Sequence, residues 1–197
     1  HGNFVSDVGV DWTILGSIGN LSATSGVSAT EFSADTSGVG RITAVHATLP
    51  SDTTGFITVT PGAATHVRIL EDPAGQTPEV TTATYATGVS ATVHAASFDS
   101  DGNYVADVPV SWSVSGGIGT LSIASGTFTD FTATTPGSGQ ISADHATLID
   151  DATGTITVTS GALASIRIVE GPFGDGPELD TRTLNADQTL TVHAAGY

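Results

Sequence analysis

Apolar and polar residues alternate along this chain in short runs. In "SATVHAASF" (90–98), Val93 and Ala95 fall on one face and His94 on the opposite, solvated one. "VPVSWSV" (108–114) places Val110 and Trp112 on one face. "FTDFTAT" (128–134) presents Phe131, "GQISADH" (139–145) presents Ile141 and Ala143, and "GTITVTS" (154–160) points Ile156 and Val158 inward. Residues 66–71 and the short "GTLS" (119–122) complete a set of about seven strand candidates. A period of two predicts strands with one buried and one wet face. No window carries a helical period of useful length. Gly, Asn and Asp punctuate the runs in "DSDGN" (99–103), "SGGIG" (115–119) and "TPGSG" (135–139), where positive φ costs little.

The pattern repeats. Trp12 and Trp112 are 100 residues apart, as are "GSIGNLS" (16–22) and "GGIGTLS" (116–122). "VHATL" (45–49) and "DHATL" (144–148) are 99 apart, as are "TGFITVT" (54–60) and "TGTITVT" (153–159). One extra residue within "LSATSGVSATEF", against "LSIASGTFTDF", accounts for the change. "HVRILEDP" (66–73) then matches "SIRIVEGP" (165–172), and "ATVHAAS" (91–97) matches "LTVHAAG" (190–196). A period of about 99 residues is too long for a solenoid turn and fits a whole small sandwich domain.

The order of motifs resembles the bacterial immunoglobulin-like repeats of invasin/intimin-type and other large cell-surface proteins. The residues that carry it are "DSDGNYVADVPVSWSVSGGIGTLS", "TATTPGSGQISA" and "TGTITVTSG". The resemblance implies tandem immunoglobulin-like β-sandwiches that act as stalks, spacers or adhesive modules at the cell surface. It implies no catalytic residues.

By that order, a complete unit spans 62–160. Residues 1–61 then form a partial unit without its first two strands, and 161–197 hold only the first two strands of a further one. The repeat is thus out of phase with the chain ends, and the two remainders together amount to about one unit. An open core face and bare strand edges are poor endpoints for a sheet. Two readings follow. In one, residues 161–197 of one chain complete residues 1–61 of the next, with Leu190, Val192, Ala194 and Tyr197 in the exchanged strand. Such a contact joins unlike surfaces and propagates head to tail. In the other, the chain is an excerpt of a longer tandem array of adjacent repeats. It starts with His rather than Met, so a processed or trimmed polypeptide is expected, and its N-terminus carries no signal-peptide pattern.

Charge narrows the partners. The formal net charge is −16, from 20 acidic residues against four arginines. Phosphate backbones and anionic membrane surfaces would repel it. No apolar run is long enough for a membrane span. Cysteine and lysine are both absent, which excludes disulfides and lysine-based isopeptide crosslinks.

Acidity also raises cation binding. Asp99, Asp101 and Asn103 alternate oxygen ligands before a turn, as in half of a calcium loop, and Glu71, Asp72, Asp150 and Asp151 are further candidates. The EF-hand pattern requires Glu at its twelfth position, where Val110 stands. His94 and His193, and His46 and His145, recur in matching places without zinc-site spacing. Trp12, Trp112, Phe32 and Phe131 are expected as core anchors, with an aromatic sugar platform as the rival for the tryptophans. Phe98, Tyr104, Phe173 and Tyr197 lie near turns and are candidates for sealing interfaces. "NLS" (20–22) is a glycosylation sequon that its counterpart "TLS" lacks. No nucleophile elbow, paired carboxylates in a cleft or phosphate-binding loop is present, so an enzyme is not expected. The sequence predicts an extracellular or surface structural protein without a cofactor, calcium aside. The rival is an adhesin or carbohydrate-binding repeat that engages a glycan or host surface.

Overall fold

Val, Ile and Thr branch at Cβ and favour extended backbone. The chain is accordingly all-β, and its one helical feature among the described residues is a 3-10 turn, Pro172–Gly174. The computed structural model describes residues 3–75 and 77–197, so the first two residues of the expected 1–61 unit lie outside it.

Between residues 62 and 160 the strands form a sandwich. Ser90–Phe98 is the hub of one layer and pairs antiparallel with His66–Leu70, Tyr104–Asp107 and Phe128–Ala133; Gly119–Leu121 extends the last. The other layer pairs Val110–Val114 with Ile141–Asp144, and Gly137–Gly139 with Ile156–Thr159. Val67, Ile69, Val93, Ala95 and Phe131 from the first layer meet Val110, Trp112, Ile141, Ala143, Ile156 and Val158 from the second in one core.

Two features depart from the predicted pattern. Ala83–Ala86 is an additional strand, parallel to Ile156–Thr159. It approaches so closely that a Cβ on Gly154 would lie 1.5 Å from the Thr81 carbonyl oxygen, which requires glycine there. Secondly, the outer face of Ser90–Phe98 is not fully solvated. Leu70, Ala96 and Phe98 are buried there with Tyr104 packed against them, in a small second core.

The sequence repeat recurs in the ladders. Trp112 pairs with Ala143, and Trp12 with Ala44. Leu121 pairs with Phe131, and Leu21 with Phe32. Val158 pairs with Gly137, and Val59 with Gly38. The indole N–H of Trp112 donates to Gly126 O (3.0 Å), and that of Trp12 donates to Val27 O (3.1 Å). The C-terminal hairpin follows suit. Ile69 pairs with Ala95, and Ile168 with Ala194; Leu70 pairs with His94, and Val169 with His193.

What differs is cover. In the central sandwich Val67, Ile69 and Val93 are 2%, 0% and 3% exposed. Their counterparts Ile166, Ile168 and Val192 in the C-terminal hairpin are 78%, 51% and 46% exposed. The N-terminal unit has the mirror deficit. Trp112 and Phe131 are buried, whereas Trp12 and Phe32, expected to anchor a core in the same way, are only half-buried. Among the described residues, no strands equivalent to His66–Leu70 and Ser90–Phe98 complete the N-terminal unit.

Candidate functional site

Two arrangements stand out: a hydrogen-bonded joint between the first two units, and a pair of uncovered faces at opposite ends of the chain.

The joint is built on the 99–103 turn. Gly102 supplies the positive φ (85°) that closes it. Asp99 is buried, and its Oδ1 accepts the backbone N–H groups of Asp101 (3.0 Å) and Asn103 (2.8 Å). Its Oδ2 accepts the Gly62 N–H (2.7 Å) and the Asn103 side-chain amide (2.9 Å). These bonds, with the Asn103 side chain foremost and Gly62 next, hold the Asp99 carboxyl down at about 2. Asn103 then reaches into the N-terminal unit. Its amide nitrogen donates to Asp35 O (2.9 Å), and its Oδ1 accepts the Ser37 N–H (2.8 Å). One asparagine thus bridges two turns that are 66–68 residues apart.

This geometry changes the reading of the acidic candidates. A carboxylate offers about four acceptor positions, and Asp99 has all of them filled by N–H donors. Asp101 is exposed and contributes its backbone N–H, and Asn103 spends its carbonyl oxygen on Ser37. Asp150 and Asp151 are committed too: Asp150 accepts the His145 N–H, and Asp151 accepts the Ile69 N–H at 2.7 Å. Burial is the first cause raising the Asp151 carboxyl above its ordinary value. Glu71 and Asp72 are exposed. Among the described residues, no group of three or more His, Asp or Glu side chains could hold a metal ion.

The histidines prove to have local roles. His46 Nδ1 accepts the N–H groups of Thr48 and Leu49, and His145 Nδ1 accepts those of Thr147 and Leu148, so the repeated "HATL" is a side-chain-capped turn. His94 is half-buried with its ring 5.9 Å from that of Phe128. Phe98 and Tyr104 meet edge to face within the second core, and Phe173 is fully exposed. Arg68 stacks on Phe98 and pairs with Glu79, and the C-terminal hairpin repeats both contacts with Arg167, Tyr197 and Glu178. The joint escaped the sequence reading because Asn103 reads as an ordinary turn residue.

Replacing Asn103 with alanine should loosen the first two units without unfolding either. It removes both bonds to the 35–37 turn and leaves the sandwich core intact. Residual dipolar couplings are expected to fit one alignment tensor in the parent and to need two in the variant. A single shared tensor in the variant would show that the units are held by something else.

The uncovered faces are the other feature. A groove of about 470 Å³ lies along Asp11–Leu15 and Gly19–Leu21, with Trp12, Ile14 and Leu21 in its lining. At the other end, the hairpin of Ile166–Val169 and His193–Gly196 turns Ile166 and Ile168 to solvent. Among the described residues, no helix is long and apolar enough to cross a membrane.

No protein-family model matches the chain, and no curated protein matches its sequence. Among solved structures, it is similar to the D0–D1 domain of intimin, at 19% identity over 78% of this chain and 82% of that one, with a TM-score of 0.36. It is also similar to domains 4–9 of the surface-layer protein SbsC, at 14% identity over 90% of this chain and 27% of that one, with a TM-score of 0.34.

Proposed function

We propose that the chain is a structural, non-catalytic unit of an extracellular filament or surface stalk, made of immunoglobulin-like sandwiches joined head to tail by strand complementation. Residues 62–160 form the complete sandwich. Residues 1–61 lack its first two strands, and residues 161–197 supply them to the next subunit or repeat. The observation that carries this is the exposure of Ile166, Ile168 and Val192, whose counterparts Val67, Ile69 and Val93 are buried in the central core. An exposed apolar sheet face of this kind marks an interaction surface. The motif order shared with invasin/intimin-type repeats supports the extracellular placement. A surface with a net charge of −16 keeps neighbouring rods apart sideways while leaving the apolar ends free to join.

The function of such a unit is mechanical. Strand pairing and apolar burial transmit tension from one sandwich to the next, and the joint at Asn103 fixes their relative orientation. Light scattering of the purified chain should show mass rising with concentration, and electron microscopy should show rods longer than a single chain. A monodisperse monomer at high concentration, with no rods, would sink the proposal.

A further inference from the structure

The central sandwich contains, within one chain, the contact that two chains would make. Two of its first three strands, His66–Leu70 and Ser90–Phe98, share a sheet with the later Phe128–Ala133, and the third, Ala83–Ala86, pairs with Ile156–Thr159 in the other layer. Residues 165–170 and 190–197 match His66–Leu70 and Ser90–Phe98 with an offset of 99 and pair with each other in the same register. Residues 28–34 match residues 127–133, which hold the ladder partner of Ser90–Phe98, with the same offset.

Both segments are cut short where the partner would lie. Ser90–Phe98 is a strand along its whole length, whereas its counterpart is paired only from His193 onward, leaving 189–192 outside any ladder. Phe128–Ala133 is six residues long, whereas its counterpart Phe32–Ala34 is three. In the central unit these two missing stretches are each other's partners: Ala91 pairs with Phe131, Thr92 with Asp130, and Val93 with Thr129.

Resting on the strand-complementation reading, the geometry points to one occupant and one register for the uncovered N-terminal face. The occupant is residues 165–197 of a second copy of this chain. Leu190 of one copy lies opposite Phe32 of the other, Thr191 opposite Glu31, and Val192 opposite Thr30. In this register two polar contacts of the central sandwich find equivalent partners. Thr92 Oγ1 donates to the Asp130 carboxylate (2.7 Å), and Thr191 finds the Glu31 carboxylate in the same place. The Ile69 N–H donates to the Asp151 carboxylate, and the Ile168 N–H finds Asp52. Tyr85, whose ring lies 5.9 Å from that of Phe131, is replaced by Leu184 over Phe32. A slip by one residue would turn Val192 outward and Thr191 into the core, because side chains alternate faces along a strand.

The chain has no cysteine, so an introduced pair reports this register without background. Positions 191 and 31 are both exposed in the free chain, so Thr191→Cys and Glu31→Cys leave the fold unperturbed. Directly opposed residues in a ladder lie within disulfide range. A chain carrying both cysteines should give a ladder of multimers on a non-reducing gel that collapses on reduction. A chain with Thr191→Cys and Thr30→Cys, whose side chains would point to opposite faces, should give at most a trace. Multimers by light scattering without the 191–31 crosslink, or with a stronger 191–30 one, would overturn the register and leave the strand-complementation reading standing. A monomer by light scattering with no crosslink in either variant would overturn both.

Discussion

Replacing Phe131 with alanine is expected to lower the stability of the central sandwich by about 4 kcal/mol, within the range for deleting a buried aromatic side chain. Phe131 is fully buried and packs against the ring of Tyr85, and a Cβ on Gly119 would come 2.4 Å from its ring. The void left behind is walled by two sheets that are tied by their own ladders and cannot close in. For a sandwich of this size that loss lowers the melting temperature by roughly 20 °C. The same substitution at Phe32 provides the contrast. Phe32 occupies the matching place beside Gly19 but is only half-buried, so the free chain should lose at most about 2 kcal/mol. Thermal unfolding followed by circular dichroism measures both. Equal losses would mean that the N-terminal unit has a closed core after all.

Replacing Ile168 with aspartate should abolish association and leave the melting of the central sandwich unchanged. In the free chain Ile168 faces water, so a carboxylate there costs little. In the complemented unit it would sit where Ile69 sits, at the centre of a core, and an unpaired buried carboxylate costs several kcal/mol. A penalty of about 3 kcal/mol or more weakens association at least a hundredfold. Aspartate in place of Ile69 should do the opposite and unfold the central sandwich itself. Sedimentation and calorimetry on the two variants separate these effects. An Ile168→Asp chain that still associates as the parent does would remove the C-terminal hairpin from the interface.

Much of this fold was legible in the residues. The alternation in 108–114, 139–145 and 154–160 reports a sheet with one dry face, and Val110, Trp112, Ile141, Ala143, Ile156 and Val158 are all buried together. The offsets of 99 and 100 follow from residue identity alone. Three things were not legible. The second core on the outer face of Ser90–Phe98 depends on Leu70 and Tyr104 from neighbouring strands packing against Ala96 and Phe98, which a period of two does not report. The parallel pairing of Ala83–Ala86 depends on close approach at Gly154, and its four residues hold a single large side chain. The joint depends on a contact across two domains. In a sequence window Asn103 looks the same whether it faces water, a cation or another turn, and so does Asp99.

The joint has a consequence for how such a rod bends. The Ser37 N–H is one of its two direct links to Asn103, and the residue at the matching place in the central sandwich is Pro136, which has no N–H to give. In a rod joined as proposed, the following joint would lack that bond, even with an asparagine facing it. Successive joints would then alternate between a stiff one and a compliant one. Flexure would concentrate at every second joint, so the persistence length would be set by the weaker hinge, and the rod would behave under load as a chain of two-sandwich links.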